Sequence, residues 1–199
     1  MKTFIIRARK GTTRWDRIMS GIGSEEHIEV VAHTVMNAFF VSNGFREDVD
    51  VYIVLDSSED FPRSIHLSGN KGLSIDGFHE AAILKLIENA LKESTSIGKD
   101  GMRIVAMGVT VYGFGFEKLL GKLLETRPVY LLDRKGGDIR DENLHANPVF
   151  VLSDHLAMPK NIMTSLKRRG ARSISLGKKM LFASQCVVLI HDELDRAVF

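Results

Sequence analysis

Apolar residues recur along this chain in two rhythms, and the alternation between them predicts its elements. The stretch over 3–8, "TFIIRA", reads as a strand. So do 49–55, rich in β-branched residues and closed by Asp56, and the short "RSIHLSG". Between the first two, 25–41 places His27, Val30, Val31, Thr34, Val35 and Ala38 at helical spacing. Ser24 stands as N-cap, and Asn43-Gly44 stops the helix. A second helix is expected over 78–91, through Ala81, Ile83, Leu84, Leu86, Ile87, Ala90 and Leu91. After the polar loop "KESTSIGKDG" come a strand over 102–112, a helix over 116–124 and a strand over 129–133. A polar loop through Lys135, Gly136 and Gly137 follows. "NPVFVLSDH" is apolar enough for a strand buried on both faces. A helix over 159–169 opens on Pro159, and a last strand covers 173–176. The final helix, 181–196, is apolar nearly all round at "CVVLI" and should pack on several sides. Strands alternating with helices predict an α/β fold with a mostly parallel sheet. No repeat, low-complexity segment or long linker divides the chain, so 1–199 reads as one domain.

Composition narrows the setting. The chain has 199 residues, 44% hydrophobic and 26% charged, enough for one sizeable core and typical of a soluble globular domain. No apolar window is long enough to span a membrane, and "MKTFIIRARKG" is too briefly apolar for a secretory signal, so it reads as the first strand. A single cysteine excludes an internal disulfide and fits a reducing cytoplasm. The seven histidines do not pair at metal-ligand spacings, so no metal is expected.

Charge changes the picture more. The net charge is only +2, yet the first 23 residues carry Lys2, Arg7, Arg9, Lys10, Arg14 and Arg17 against Asp16 alone. From Leu156 to His191 there are seven basic residues and no acidic ones, among them Arg168, Arg169 and Arg172. Such segregation reads either as a solvated face or as a surface for a polyanion such as RNA.

Three strands end in small or polar turns: "VYLLDRKGG", "PVFVLSDH" and "SISLGKK". Ligands of open α/β sheets bind at the carboxyl ends of strands. A pocket between Leu132, Ser153 and the 176–181 loop would have apolar walls and many backbone groups, which suits an adenine and ribose. No Walker pattern is present, and "GFGFEK" has lysine where a dinucleotide fingerprint needs its third glycine.

"NPVFVLSDHLAMP", "RSISLGKKMLFASQCVVLIHDELDR" and "AHTVMNAFFVSNGFREDVDVYIVL" resemble the SPOUT-class RNA methyltransferases. Within that class the chain is similar to the archaeal TrmY family, which methylates N1 of pseudouridine 54 in the tRNA T-loop, and to its bacterial relatives. The resemblance implies a Rossmann-like sheet flanked by helices, a C-terminal trefoil knot, S-adenosylmethionine as cofactor, a homodimer and an RNA substrate, with tRNA the first candidate. It implies that Leu132 and Ser153 line the cofactor pocket. Leu176, Gly177, Lys178, Lys179, Met180 and Leu181 wrap the cofactor, and Cys186 closes it as a wall rather than a nucleophile. Arg7, Arg9, Arg168, Arg169 and Arg172 are the expected RNA contacts. The chain departs from archaeal members at Tyr112 and Gly113, where those carry paired arginines, so the T-loop and another RNA both stay open as targets.

Methyl transfer to a ring nitrogen needs alignment and the loss of the N–H proton. Asp48 in "FREDVDV" and Asp154 in "SDH" are the candidate bases, and Arg46 would steady the developing anion. The alternative is a non-catalytic RNA-binding protein that retains the fold.

Overall fold

The computed structural model describes residues 1–57, 61–144 and 146–196. In chain order its elements are β1 (Lys2–Ala8), α1 (Ile28–Phe39), the small hairpin β2 (Phe40–Val41) and β3 (Gly44–Phe45), β4 (Val49–Leu55), β5 (Arg63–Ser68), α2 (Glu80–Glu93), β6 (Met102–Ala106), β7 (Val109–Tyr112), α3 (Phe116–Leu124), β8 (Val129–Asp138), β9 (Val149–Ser153), α4 (Lys160–Arg168), β10 (Arg172–Ser175) and α5 (Ala183–Arg196). Short 3-10 turns fill several connections.

The main sheet runs β10-β8-β9-β1-β4-β5-β7-β6. From β10 to β4 neighbours are parallel, and from β4 to β6 they are antiparallel. The architecture is therefore the α/β, mostly parallel sheet that the alternation of elements predicts. β1 lies centrally, and Phe4, Ile5 and Ile6 are wholly buried because helices cover both faces. On one face, Phe4 and Ile6 pack with residues of α1, α2 and α5. On the other, Ile5 and Val54 pack with Phe116, Leu119 and Leu120 of α3 and with Leu166 of α4. Burying each such aliphatic side chain contributes about 1.5–3 kcal/mol, so this double layer makes the strand ends dependable fixtures.

Three local outcomes differ from the sequence expectation. The first helix starts at Ile28, and Ser24 is not its cap: the Ser24 hydroxyl donates to Gly21 O at 2.7 Å, and His27 precedes the helix in a left-handed conformation, φ +47°. The 102–112 strand is a hairpin, because Gly108 turns at φ +70° and a Cβ there would sit 2.8 Å from Leu73 backbone. β8 continues through Lys135, Gly136 and Gly137 to Asp138 rather than opening into a loop. Here β10 meets β8 twice: Ser173 faces Leu131, and the next residue, Ile174, faces Gly137. The stretch 132–136 of β8 thus bulges out of the pairing with β10. A Cβ on Gly136 would lie 2.7 Å from backbone atoms of Ser173 and Ile174, so glycine is what lets the two chains pass.

The connections set a switch point. From β1 the chain passes through α1 to β4 on one side, and from β9 through α4 to β10 on the other. β1 and β9 are adjacent and parallel, with Arg7 opposite Ser153. A crevice outside their carboxyl ends is where open α/β sheets receive ligands.

Candidate active site

Ser153 ends β9 at the level of Arg7, and Leu132 follows Leu131, which faces Val151. These residues share the carboxyl end of the parallel strands with the segment that leaves β10. Residues 176–182 belong to no helix or strand. Ser175 shapes their start: its hydroxyl oxygen accepts the Gly177 N–H at 3.1 Å. Gly177 takes φ +115° with open space where a Cβ would be, so conformation rather than crowding demands glycine there. Lys178, Lys179 and Met180 are exposed, and Leu181 is half-buried. Gln185 then accepts the Phe182 N–H at 3.0 Å and steadies the entry to α5. Leu132, Leu176 and Cys186 are partly buried and pack against the core, which gives the loop an apolar floor. Burial pushes the Cys186 thiol up to about 11, so it stays neutral and behaves as wall. Irregular backbone over an apolar floor fits an adenine and ribose held by main-chain hydrogen bonds.

Asp154 and His155 follow Ser153 directly. The Asp154 N–H donates to Arg7 O at 3.1 Å, and its Oδ1 accepts the Leu156 N–H at 2.8 Å. The Asp154 side chain has 0% exposure, and Oδ2 is buried without a hydrogen-bond partner. Burial raises its pKa, against weaker lowering contributions from the Leu156 N–H, His155 and Arg9. His155 Nδ1 lies 3.8 Å from Asp154 Oδ2, and the His155 ring meets His27 edge-on at 4.5 Å between centroids. His27 Nδ1 is 3.0 Å from Glu29 Oε1. Burial alone would raise the Glu29 carboxyl, but hydrogen bonds from its own backbone, His27 and Gly23 outweigh it and hold it below its usual value. Sequence reasoning named Asp154 but missed His27, whose helical spacing hid its left-handed turn toward β9.

Arg46 and Asp48 lie elsewhere. Asp48 precedes β4, and its carbonyl accepts the Lys2 N–H at 2.8 Å at the amino end of the sheet. Arg46 makes two hydrogen bonds to Asp195 of α5, at 3.1 and 2.6 Å, and Lys2 bridges Asp195 at 2.9 Å and Asp48 at 3.2 Å. Hydrogen bonds from Arg46 and Lys2 hold the Asp195 carboxyl down at about 2. Along β1 the distance from Lys2 to Arg7 is about 17 Å at the usual strand rise. Within one chain, Asp48 and Arg46 therefore lie at the opposite end of the parallel strands from Ser153 and the 176–182 loop.

The basic residues divide as well. Arg9, Arg168, Arg169 and Arg172 are exposed, with Arg172 3.8 Å from Glu142. Arg7 does not join them: it pairs with Asp56 at 2.7 Å, both largely buried, and its guanidinium lies 4.3 Å over the Phe116 ring. Alternation along β1 puts Arg7 on the face of Ile5, beneath α3, which removes it from the surface. A cleft of about 270 Å³ between the 13–16 turn, Arg63 and the end of α2 shares no residue with the carboxyl-end site. Among the described residues no helix is long and apolar enough to cross a membrane.

Residues 1–199 match the model of a family described as "Putative SAM-dependent RNA methyltransferase". The chain belongs to this family. It is therefore a member of an S-adenosylmethionine-dependent RNA methyltransferase family, as the resemblance implied. It is 48% identical to a Vibrio vulnificus protein named "Putative pseudouridine methyltransferase", over 98% of each chain. Proteins of the same name from Vibrio cholerae and Shewanella frigidimarina are 46% and 47% identical, again over about all of this chain (98%). In fold the chain is similar to Archaeoglobus fulgidus Nep1, solved with S-adenosylhomocysteine. The TM-score is 0.64 at 16% identity, over 99% of this chain and 97% of the other.

Proposed function

We propose that this protein transfers the methyl group of S-adenosylmethionine to N1 of a pseudouridine in RNA. The observation that carries the reading is the carboxyl-end loop: an irregular 176–182 segment with a left-handed Gly177, next to the partly buried Leu132, Leu176 and Cys186. Full-length relatives named for pseudouridine methylation point to the acceptor. The cofactor supplies an electrophilic sulfonium methyl. The chain's part is alignment and exclusion of water: Leu132, Ser153 and the loop from Leu176 to Leu181 hold the cofactor, and Cys186 closes the wall behind it. A neutral Cys186 thiol does not compete as a nucleophile.

The shift in pairing between β8 and β10, with Gly136 packed tightly against Ser173 and Ile174, supports a C-terminal trefoil knot. Knots are exceptions among folds, and this one would turn the cofactor loop into a fixed clamp. RNA would approach along Arg9 and the exposed Arg168, Arg169 and Arg172, with tRNA as one candidate. Gly113 explains one departure from archaeal relatives. Its would-be Cβ collides with the Gly98 carbonyl, so an arginine there does not fit this loop. A homodimer is supported by the outer side of α5, where Val188 and Leu189 are 48% and 39% exposed beside Phe182 at 64% and Met180 at 75%. A cytoplasmic location agrees with an RNA substrate.

Mass spectrometry of nucleosides from a deletion strain tests the reading: a methylated pseudouridine should disappear. Calorimetry with purified protein and S-adenosylmethionine tests the pocket, and absence of both binding and modification would overturn the reading. RNA binding without methyl transfer would favour the non-catalytic alternative.

A further inference from the structure

At the switch point between β1 and β9 the structure holds two imidazoles, each with a carboxylate behind it. His155 stands in front of the buried Asp154, and His27 in front of Glu29, with the rings edge to face at 4.5 Å. His27 is exposed and adopts φ +47°, a conformation that costs a non-glycine residue about 1–3 kcal/mol. Asp154 Oδ2 is fully buried with no partner, which leaves a carboxylate oxygen aimed at His155 from 3.8 Å. That is longer than a hydrogen bond, and a small rotation of the imidazole closes it. Metal chemistry does not account for the group, since among the described residues no three His, Cys, Asp or Glu side chains converge as metal ligands would.

Position adds the rest. Strands in a sheet lie about 4.8 Å apart, so the crevice at β1 and β9 is about 10–15 Å from the loop that leaves β10. Ser153, which would help hold the cofactor, is followed directly by Asp154 and His155, so His155 stands at the edge of that site. We infer that the crevice bounded by Arg9, His27 and His155 receives the acceptor pyrimidine, and that His155 takes the proton from its ring N–H. Asp154 is a positioning residue that orients the His155 ring. This rests on the methyltransferase reading above.

The step balances. The acceptor nitrogen loses its proton to the unprotonated nitrogen of His155, and the nitrogen lone pair forms the new N–C bond. The C–S bond breaks with its electron pair going to sulfur, so the sulfonium becomes a neutral thioether. The positive charge passes to His155, where Asp154 stabilises it and Arg9 and the neighbouring His27 oppose it. The proton then leaves to solvent, since the His155 side chain is 23% exposed.

The experiment uses the full-length protein, a pseudouridine-containing RNA hairpin and S-adenosylmethionine. His155→Gln should lower kcat about 100-fold or more, the range of a lost general base, and remove the acidic limb of the pH–rate profile. Cofactor and RNA affinities should stay within about twofold of wild type, because no assigned cofactor or phosphate contact changes. Asp154→Asn should lower kcat less and move the acidic limb to lower pH. His27→Ala should raise KM for RNA, and His27→Phe should restore it by keeping the aromatic edge. Imidazole NMR signals give a readout independent of turnover: those of His27 and His155 should shift when the hairpin is added to wild-type protein. His155→Gln with kcat within threefold of wild type, or imidazole signals unmoved by RNA, overturns the inference. If wild type binds no cofactor and transfers no methyl, the methyltransferase reading fails instead. The NMR titration then still decides whether the crevice receives a base.

Discussion

At the amino end of the parallel strands, Lys2, Arg46, Asp48 and Asp195 neutralise one another and tie the last turn of α5 to β1 and β4. At the carboxyl end, Asp154 keeps a buried oxygen unpaired, two histidines face each other, and a loop without regular structure leaves β10. Both ends hold acids and bases within a few ångströms. One end satisfies them and the other leaves groups for a ligand. A carboxylate beside an arginine in a sequence is therefore weak evidence for catalysis, since the same pair fastens a helix when a second acid completes it. A carboxylate at a switch point with one oxygen on the Leu156 N–H and the other buried without a hydrogen bond is stronger evidence.

Changes at the amino end should alter stability and leave chemistry intact, and changes at the carboxyl end should do the reverse. The largest stability effect belongs to His191, buried on α5 with Nε2 3.1 Å from Ala38 O. Burial, with Arg46 and Lys2 nearby, lowers its pKa from 6.5 to about 4. The unfolded chain takes up this proton near pH 6.5 and the native chain only near 4. Stability is therefore full above 6.5 and falls between those values, by up to about 3 kcal/mol at ~1.4 kcal/mol per pH unit. Thermal melts from pH 7 to 4 should show this loss, and His191→Phe should flatten it. Next, Gly177→Val forces a β-branched residue to φ +115°. The strain of about 1–3 kcal/mol should appear as a cofactor Kd about 10-fold or more weaker by calorimetry. Charge-neutral Gln at both Arg168 and Arg169 should lower the slope of log affinity against log salt for RNA by about 1–2, with cofactor affinity unchanged. Asp195→Asn removes a half-exposed partner and should cost under about 1 kcal/mol. Because that carboxyl is held at about 2, below its ordinary 3.8, its contribution is present at neutral pH and lost as pH falls from about 4 to 2. Smallest of all, Asp48→Asn should leave kcat within twofold of wild type. A large loss there would mean that a second subunit brings Asp48 to the site, and the contrast between the two ends would hold only within one chain.

Much of the fold was legible in the sequence because period and turn chemistry are local. The central strands, the helices over α2, α3 and α5, and the turn at Gly177 follow from residues within a few positions of one another. What escaped depends on distant partners. Gly136 and Gly137 look like a loop, and β10, some 40 residues later, makes them a strand. Arg7 looks like a surface cation until α3 covers it and Asp56 pairs with it. The partner of Arg46 was also hidden: Asp195, nearly 150 residues away, takes its guanidinium.

By itself the sequence determined the alternation of elements, the apolar strands that become a doubly covered sheet, the segregated basic residues, and the Ser-Asp-His and Leu-Gly-Lys-Lys turns at strand ends. The tertiary structure decided which strand ends meet. It put Asp154 and His155 beside His27 at the switch point and sent Asp48 about 17 Å away along β1. The reason is physical: a turn or a helix is fixed by nearest neighbours, whereas burial, ion pairing and an unsatisfied carboxylate depend on what the rest of the chain brings against a residue.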